Sequence, residues 1–169
     1  MWSNFRRVVW FRAAAHKDQA PLFVGDTTLV VVDMCPAFVA AAGVFDAVSE
    51  QIDLAMAKGW AIVFVQSRGK GQTYPQLLQR TNGYGRVYRN ALKQDNDGSS
   101  EVVFAALERN FSIQRFRVCG VNTWACVYDT VFGLLEIVDF AFVELVAHAC
   151  NDSARGSWKQ FAHPRMQVL

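Results

Sequence analysis

Two side chains in this sequence stand where chemistry is ordinarily done. Asp33 closes the apolar run TLVVVD at positions 28–33. Cys126 lies six residues past Gly120, the glycine that closes a second run, FRVCG, at 116–120. A thiol in the first turn of a helix feels the positive end of the helix dipole, which favours thiolate and nucleophilic attack. The free N–H groups of the same turn are suited to hold an oxyanion. A carboxylate nearby would serve as general base and acid. Each residue also has a structural reading, a loop anchor for the acid and small core filler for the thiol.

The elements that must position them follow from the patterning. TLVVVD is an unbroken β-branched run of the kind buried on both faces of a parallel sheet. Asp46 can cap a helix whose Val48, Ile52, Ala55 and Met56 share one face, with Lys58 and Gly59 at its end. WAIVFVQ at 60–66 is the next strand, completing a βαβ unit. Residues 67–100 hold five glycines and no sustained period, which predicts a long glycine-rich loop with a short strand at 86–92 embedded in it. A helix is expected from Ser99 or Ser100, with Val103, Phe104 and Leu107 inward. The strand FRVCG follows, then a helix at 123–136 with Val127, Val131, Leu134 and Leu135 on one face, and a strand at 138–147. A last helix would be capped by Ser153 and carry Trp158 and Phe161. This alternation predicts a three-layer α/β domain spanning 1–169, a mainly parallel central sheet with helices on both faces and an N-terminal extension at 1–20. Ligands of such sheets bind beyond the carboxyl ends of the strands, where Asp33 and Cys126 fall.

Composition narrows the function classes. The 169 residues are 52% hydrophobic and 19% charged with a formal charge of +2, so an ample core is expected and a basic field for nucleic acid is not. The apolar stretch 131–149 is broken by Glu136, Asp139 and Glu144, which excludes it as a spanning helix, and Arg6, Arg7 and Arg12 argue against a secretory signal. Cys35, Cys119, Cys126 and Cys150 form no CxxC pair, which reads as reduced thiols in a cytoplasm. Cys35 is either core filler or a second active-site thiol. RGKGQT at 68–73 lacks phosphate-loop spacing. Arg68, Lys70, Arg80, Arg86 and Arg89 select an anionic substrate or form a solvated loop. His16, His148 and His163 lack ligand spacing. Phe38 and Trp124 flank the two chemical residues, as walls of a small pocket or as core packing.

A family resemblance joins these features. VCGVNTWACVYDTV at 118–131 resembles the nucleophile motif of isochorismatase-like cysteine hydrolases. TLVVVDMCPAFV at 28–39 resembles their opening Asp motif, and ALKQDNDGSSEVVFAAL at 91–107 their Lys motif, in family order across 21–154. The resemblance implies the isochorismatase-like hydrolase fold and a triad of Asp33, Lys93 and Cys126. Asp33 would take the thiol proton and return it to the leaving amine, Cys126 would form a thioester, and Lys93 would stabilise the negative charge. The family's oxyanion hole maps onto the backbone N–H groups of Asn122 and Cys126, with a cis peptide between Val121 and Asn122. The chain departs from the pattern at Cys35, Pro36 and Ala37, where the family often has Gln, Asn or Asp. Nicotinamidases of the family bind a metal through Asp and His near the end of strand 2, yet residues 60–88 hold no Asp, Glu or His. The resulting expectation is a metal-independent cysteine hydrolase, without cofactor, that cleaves a C–N bond of a small amide or ureido substrate. The alternative is a catalytically silent relative acting as a binding or assembly module. Nucleic acid and membrane are not expected as partners. A homo-oligomer is expected, with Trp2, Phe5, Val8, Val9, Trp10 and Phe11 as candidate interface residues.

Overall fold

The computed structural model describes residues 27–151 and 157–169. Strands β1 (Thr27–Val32), β2 (Ala61–Ser67), β3 (Val87–Lys93), β4 (Arg115–Gly120), β5 (Phe142–Cys150) and β6 (Met166–Val168) form one sheet in the order β3-β2-β1-β4-β5-β6. Every neighbouring pair is parallel. The period of two sorts the strand residues between two cores. Val30, Val32, Val63 and Val65 pack with α4 (Ser99–Glu108) and α5 (Tyr128–Ile137). Leu29, Val31, Ile62 and Phe64 pack on the other side with α1 (Ala40–Gly43), α2 (Phe45–Ala57) and α3 (Pro75–Arg80). Both faces are covered, which is why these strands carry almost no polar residues and why three layers result. No helix among the described residues is long and apolar enough to cross a membrane.

Several local expectations are corrected. Residues 67–100 hold the expected strand, β3, and the expected start of α4, but also a helix, α3, where only loop was expected. Six residues opened by Pro75 are too few to show a helical period, which hid α3. On α4 the inward face is Val102, Val103, Ala105 and Ala106, while Phe104 and Leu107 are exposed. The fifth strand starts at Phe142, because the Val138 N–H bonds the Leu134 carbonyl and prolongs the turn that ends α5. A sixth strand of three residues carries too little pattern to read. At the C-terminus the described segment forms a single 3-10 turn, Ser157–Gln160, with Phe161 buried behind it. Ser153 and the N-terminal extension lie outside the described residues.

The sheet order reverses between β1 and β4, so the loops leaving their carboxyl ends diverge and open the crevice where α/β proteins bind ligands. Arg165 anchors the far end of α5. Its guanidinium donates to the carbonyls of Leu135 (2.5 Å), Val138 (2.8 Å) and Ala141 (3.2 Å), meeting the negative end of the helix. The near end begins after Gly120, opposite Val32 in the β1–β4 register. Gly120 has φ +121°, and a Cβ there would stand 2.1 Å from the Val32 carbonyl oxygen. Only glycine lets the two strand ends approach this closely. Gly120→Ala should therefore cost more than about 4 kcal/mol of stability or prevent folding. Gly43→Ala, with nothing within 4 Å, should be neutral or slightly stabilising. Urea unfolding of the two variants checks the contrast.

Candidate active site

β1 ends in a residue with left-handed backbone: Asp33 has φ +52°, a conformation that Asp tolerates better than most side chains. Its N–H still bonds the Val65 carbonyl at 2.9 Å, so the turn begins from a fixed point. The carboxylate is held by three donors. Oδ1 accepts the Ser67 N–H at 2.7 Å. Oδ2 accepts the Ser67 hydroxyl at 3.1 Å and the Lys93 ammonium at 3.0 Å. Lys93 pairs in register with Ser67 and so stands two strands from β1. At about 4.8 Å per strand that is roughly 10 Å between backbones, a gap that a lysine extended beneath β2 can bridge. Its Nζ also donates to the Asp95 carbonyl at 2.9 Å. Both charged side chains are 0% exposed. Gly98 makes this enclosure possible, since a Cβ there would meet Val65 Cγ1 at 2.6 Å and Lys93 Cδ at 3.1 Å.

The chain reaches Cys126 from Gly120 through a cis Val121–Asn122 peptide. A π turn, Thr123–Val127, then leads into α5, with the Val127 N–H bonded to the Asn122 carbonyl at 3.0 Å. Asn151 fixes the start of that turn by accepting the Thr123 N–H (2.9 Å) and hydroxyl (3.1 Å). Cys126 is 4% exposed, and its thiol donates to Asn96 Oδ1 at 3.7 Å. Burial pushes the thiol pKa up and the nearby Asp33 pushes it further, while Lys93 pulls it part of the way back. The helix dipole alone favours thiolate, but here burial and the adjacent acid prevail and the proton stays on sulfur at rest. The structure thus brings Asp33, Lys93 and Cys126 into one buried cluster. A neutral thiol beside a held carboxylate can pass its proton over as it attacks.

Other singled-out residues sort differently. Phe38 packs against the core on the α2 side. Trp124, 40% exposed, joins an aromatic row with Tyr128, Trp158 and Phe161, at centroid distances of 6.1, 6.5 and 4.9 Å. Cys35 is buried and its thiol meets the Lys70 carbonyl at 3.5 Å. Burial raises the Cys119 thiol and pushes Cys150 up to about 12. Of the loop cations, Arg80 pairs with Asp53 at 2.8 Å, Arg89 bonds Thr81, and Arg86 lies over the Phe111 ring. Sequence reasoning missed Ser67, Asn96 and Asn151. Ser67 and Asn151 are reached only through strand register. Asn96 stands inside the Lys motif, but its contact with the thiol depends on how the turn folds back. Among the described residues no three His, Cys, Asp or Glu side chains gather as a metal site. The segment after β2 holds Ser67, Arg68, Lys70 and Gln72, a poor set of metal donors.

No protein-family model matches the chain, and the search of curated proteins finds no match. Solved structures do match in fold. The nicotinamidase/pyrazinamidase PncA from Bacillus subtilis superposes with a TM-score of 0.69 at 14% identity, over 85% of this chain and 98% of that one. YcaC from Escherichia coli, an octameric hydrolase of unknown specificity, gives 0.68 at 15% identity over 85% and 74%. N-carbamoylsarcosine amidase from Thermoplasma acidophilum gives 0.62 at 16% identity over 85% and 95%. The chain therefore has the isochorismatase-like α/β fold.

The buried ion pair and the thiol make two checkable statements. Asp33→Asn or Lys93→Met alone should destabilise the protein by about 3–5 kcal/mol, because each leaves a buried charge unpaired. The double variant should cost less than the sum, as a denaturation cycle would show. Alkylation of Cys126 by iodoacetamide should rise with pH through a midpoint above that of a free cysteine. Asp33→Asn should shift that midpoint down and Lys93→Met up, because the acid holds the proton on sulfur and the cation draws it off.

Proposed function

We propose, taking the isochorismatase-like hydrolase fold as the premise, that this protein is a metal-independent cysteine hydrolase cleaving a C–N bond of a small amide or ureido compound. The observation that carries the reading is the buried cluster in which the Cys126 thiol adjoins Asp33, itself paired with Lys93 at 3.0 Å. Solved neighbours named as a nicotinamidase and an amidase support amide hydrolysis as the reaction class.

Cys126 Sγ attacks the carbonyl carbon while its proton passes to Asp33. The backbone N–H groups of Asn122 and Cys126 receive the developing oxyanion. Collapse breaks the C–N bond, and Asp33 returns the proton to the leaving nitrogen, leaving a thioester. Water, deprotonated by Asp33, adds to the thioester; the C–S bond breaks and sulfur regains a proton. Lys93 keeps Asp33 in place and offsets the negative charge carried by sulfur and oxygen. Phe38 and Trp124 supply apolar surface for the rest of the substrate. The free cysteines fit a reducing cytoplasm. We also infer a homo-oligomer: Leu92, Phe104 and Leu107 are exposed along the β3–α4 edge, and the neighbour YcaC is octameric.

Cys126→Ala, Cys126→Ser, Asp33→Asn and Lys93→Met should each lower kcat/KM by at least ~10²-fold, without additivity, because the groups act in one step. A screen of small amides and ureido compounds, with Cys126→Ala as the blank, supplies the assay. Turnover should survive a chelator. Light scattering at micromolar concentration should show an assembly larger than the single chain.

A further inference from the structure

One contact to the nucleophile has no place in that sequence of steps. The Asn96 side-chain carbonyl lies 3.7 Å from Cys126 Sγ, accepting the thiol proton. Asn96 is itself exposed, in the turn between β3 and α4, yet the backbone around it is tied down. The Asp95 carbonyl takes the Lys93 ammonium (2.9 Å), and Asp95 Oδ1 takes the Asp97 N–H (3.1 Å). The Gly98 N–H bonds Thr130 Oγ1 (3.0 Å), and the Ser99 N–H bonds Asp97 Oδ1 (2.8 Å). The backbone that carries this amide is therefore fixed beside the sulfur.

A carbonyl carbon about to be attacked stands about 3–3.5 Å from the nucleophile. An acceptor 3.7 Å from that sulfur is thus next to the carbon's substituents, within reach of one hydrogen bond. The carbon carries three. Oxygen goes to the N–H groups of Asn122 and Cys126, and the leaving nitrogen to Asp33. The third, which stays on the carbon, is left for Asn96. In a simple amide that substituent is carbon and has nothing to donate. In a ureido compound it is a second nitrogen with an N–H. Timing adds to the match: Asn96 loses its S–H donor at the moment the thiol proton moves to Asp33. A substrate N–H that takes its place forms a hydrogen bond made only as sulfur attacks, the kind of contact that accelerates the step.

We propose that Asn96 is a specificity-determining residue that directs the site to carbamoyl (ureido) compounds, its side-chain carbonyl accepting the N–H of the nitrogen retained on the carbonyl carbon. The inference rests on the thioester reading above. In the step it favours, the S–C bond forms and one C–N bond breaks. The leaving amine takes the proton from Asp33, and an S-carbamoyl enzyme remains. Water then adds, the C–S bond breaks, and the carbamic acid released loses carbon dioxide to give the second amine.

Two small reagents test this without knowledge of the natural substrate. Isocyanic acid, from cyanate, adds the thiol across its C=N bond; sulfur gains the carbon, its proton ends on nitrogen, and an N–H stands on the attached carbon. p-Nitrophenyl acetate gives the S-acetyl adduct, with a methyl group in that position, and releases p-nitrophenolate. The ratio of the two rates at Cys126, from peptide mass and nitrophenolate release corrected with Cys126→Ala, is compared with the ratio for N-acetylcysteine. The wild-type ratio should exceed that reference by about three- to tenfold, the range commanded by one neutral hydrogen bond. It should fall to the reference in both Asn96→Leu and Asn96→Ala, whose circular dichroism should stay native because the side chain is exposed. An equal ratio in the wild type and both variants, with both reagents still modifying Cys126, overturns the role of Asn96 and leaves the cysteine hydrolase standing. A Cys126 that reacts with neither reagent faster than Cys35 overturns the thioester reading, and this inference with it.

Discussion

A lysine and an aspartate meet at 3.0 Å with no exposure to water, and the rest of the site is organised around keeping them there. Two charges taken out of solvent are tolerable only if geometry and further hydrogen bonds offset the lost hydration. The structure supplies those bonds from separate elements: the N–H and hydroxyl of Ser67 on β2, and the Asp95 carbonyl beyond β3. The strand order puts β2 between the two partners, so Ser67 lies where it can hold the carboxylate while the lysine passes beneath. Gly98 closes the enclosure at a point where any side chain would strike Val65 or Lys93. A pair built this way adds little net stability, but it fixes a carboxylate at a defined place.

That carboxylate in turn decides the state of the thiol. Helix N-termini are usually invoked to activate cysteine, and α5 begins just past Cys126. Burial and the neighbouring acid outweigh the dipole, so sulfur keeps its proton at rest. A resting thiol is also shielded from oxidation, which acts on thiolates. In the proposed reaction, sulfur, carboxylate and ammonium would form a relay in which only one proton moves. Asn96 completes the neutral resting arrangement by giving the S–H an acceptor.

The crevice itself follows from topology. β1 and β4 are the neighbours from which the sheet winds in opposite directions, and both candidate residues follow their ends, Asp33 directly after Val32 and Cys126 six residues past Gly120. Asp33 leaves β1 in a left-handed turn, and Gly120 leaves β4 pressed against the Val32 carbonyl. The two exits differ in residue type for a physical reason. At the first a side chain is needed and the backbone there leaves room for it; at the second there is no room for any.

What the sequence determined by itself is the part written in periodicity and in local motifs. Apolar runs that alternate between two cores mark β1, β2 and β4, and the faces of α2 and α5 show in a 3.6-residue spacing, because burial acts on each element separately. Asp33 and Cys126 were legible as candidates because each follows an apolar run in a short local pattern, whereas Lys93 entered only through the family resemblance. Elements of three to six residues, β6 and α3, carry too little period to be read. Phe104 and Leu107 were misplaced because α4 turns its smaller residues, Ala105 and Ala106, to the sheet. Only the tertiary structure decided that Ser67 would grip Asp33, that Lys93 would reach across a strand to it, and that Asn96 would touch the sulfur. Those contacts join residues 30 to 60 positions apart, through strand register and a folded-back turn, and no local pattern records a partner that distant.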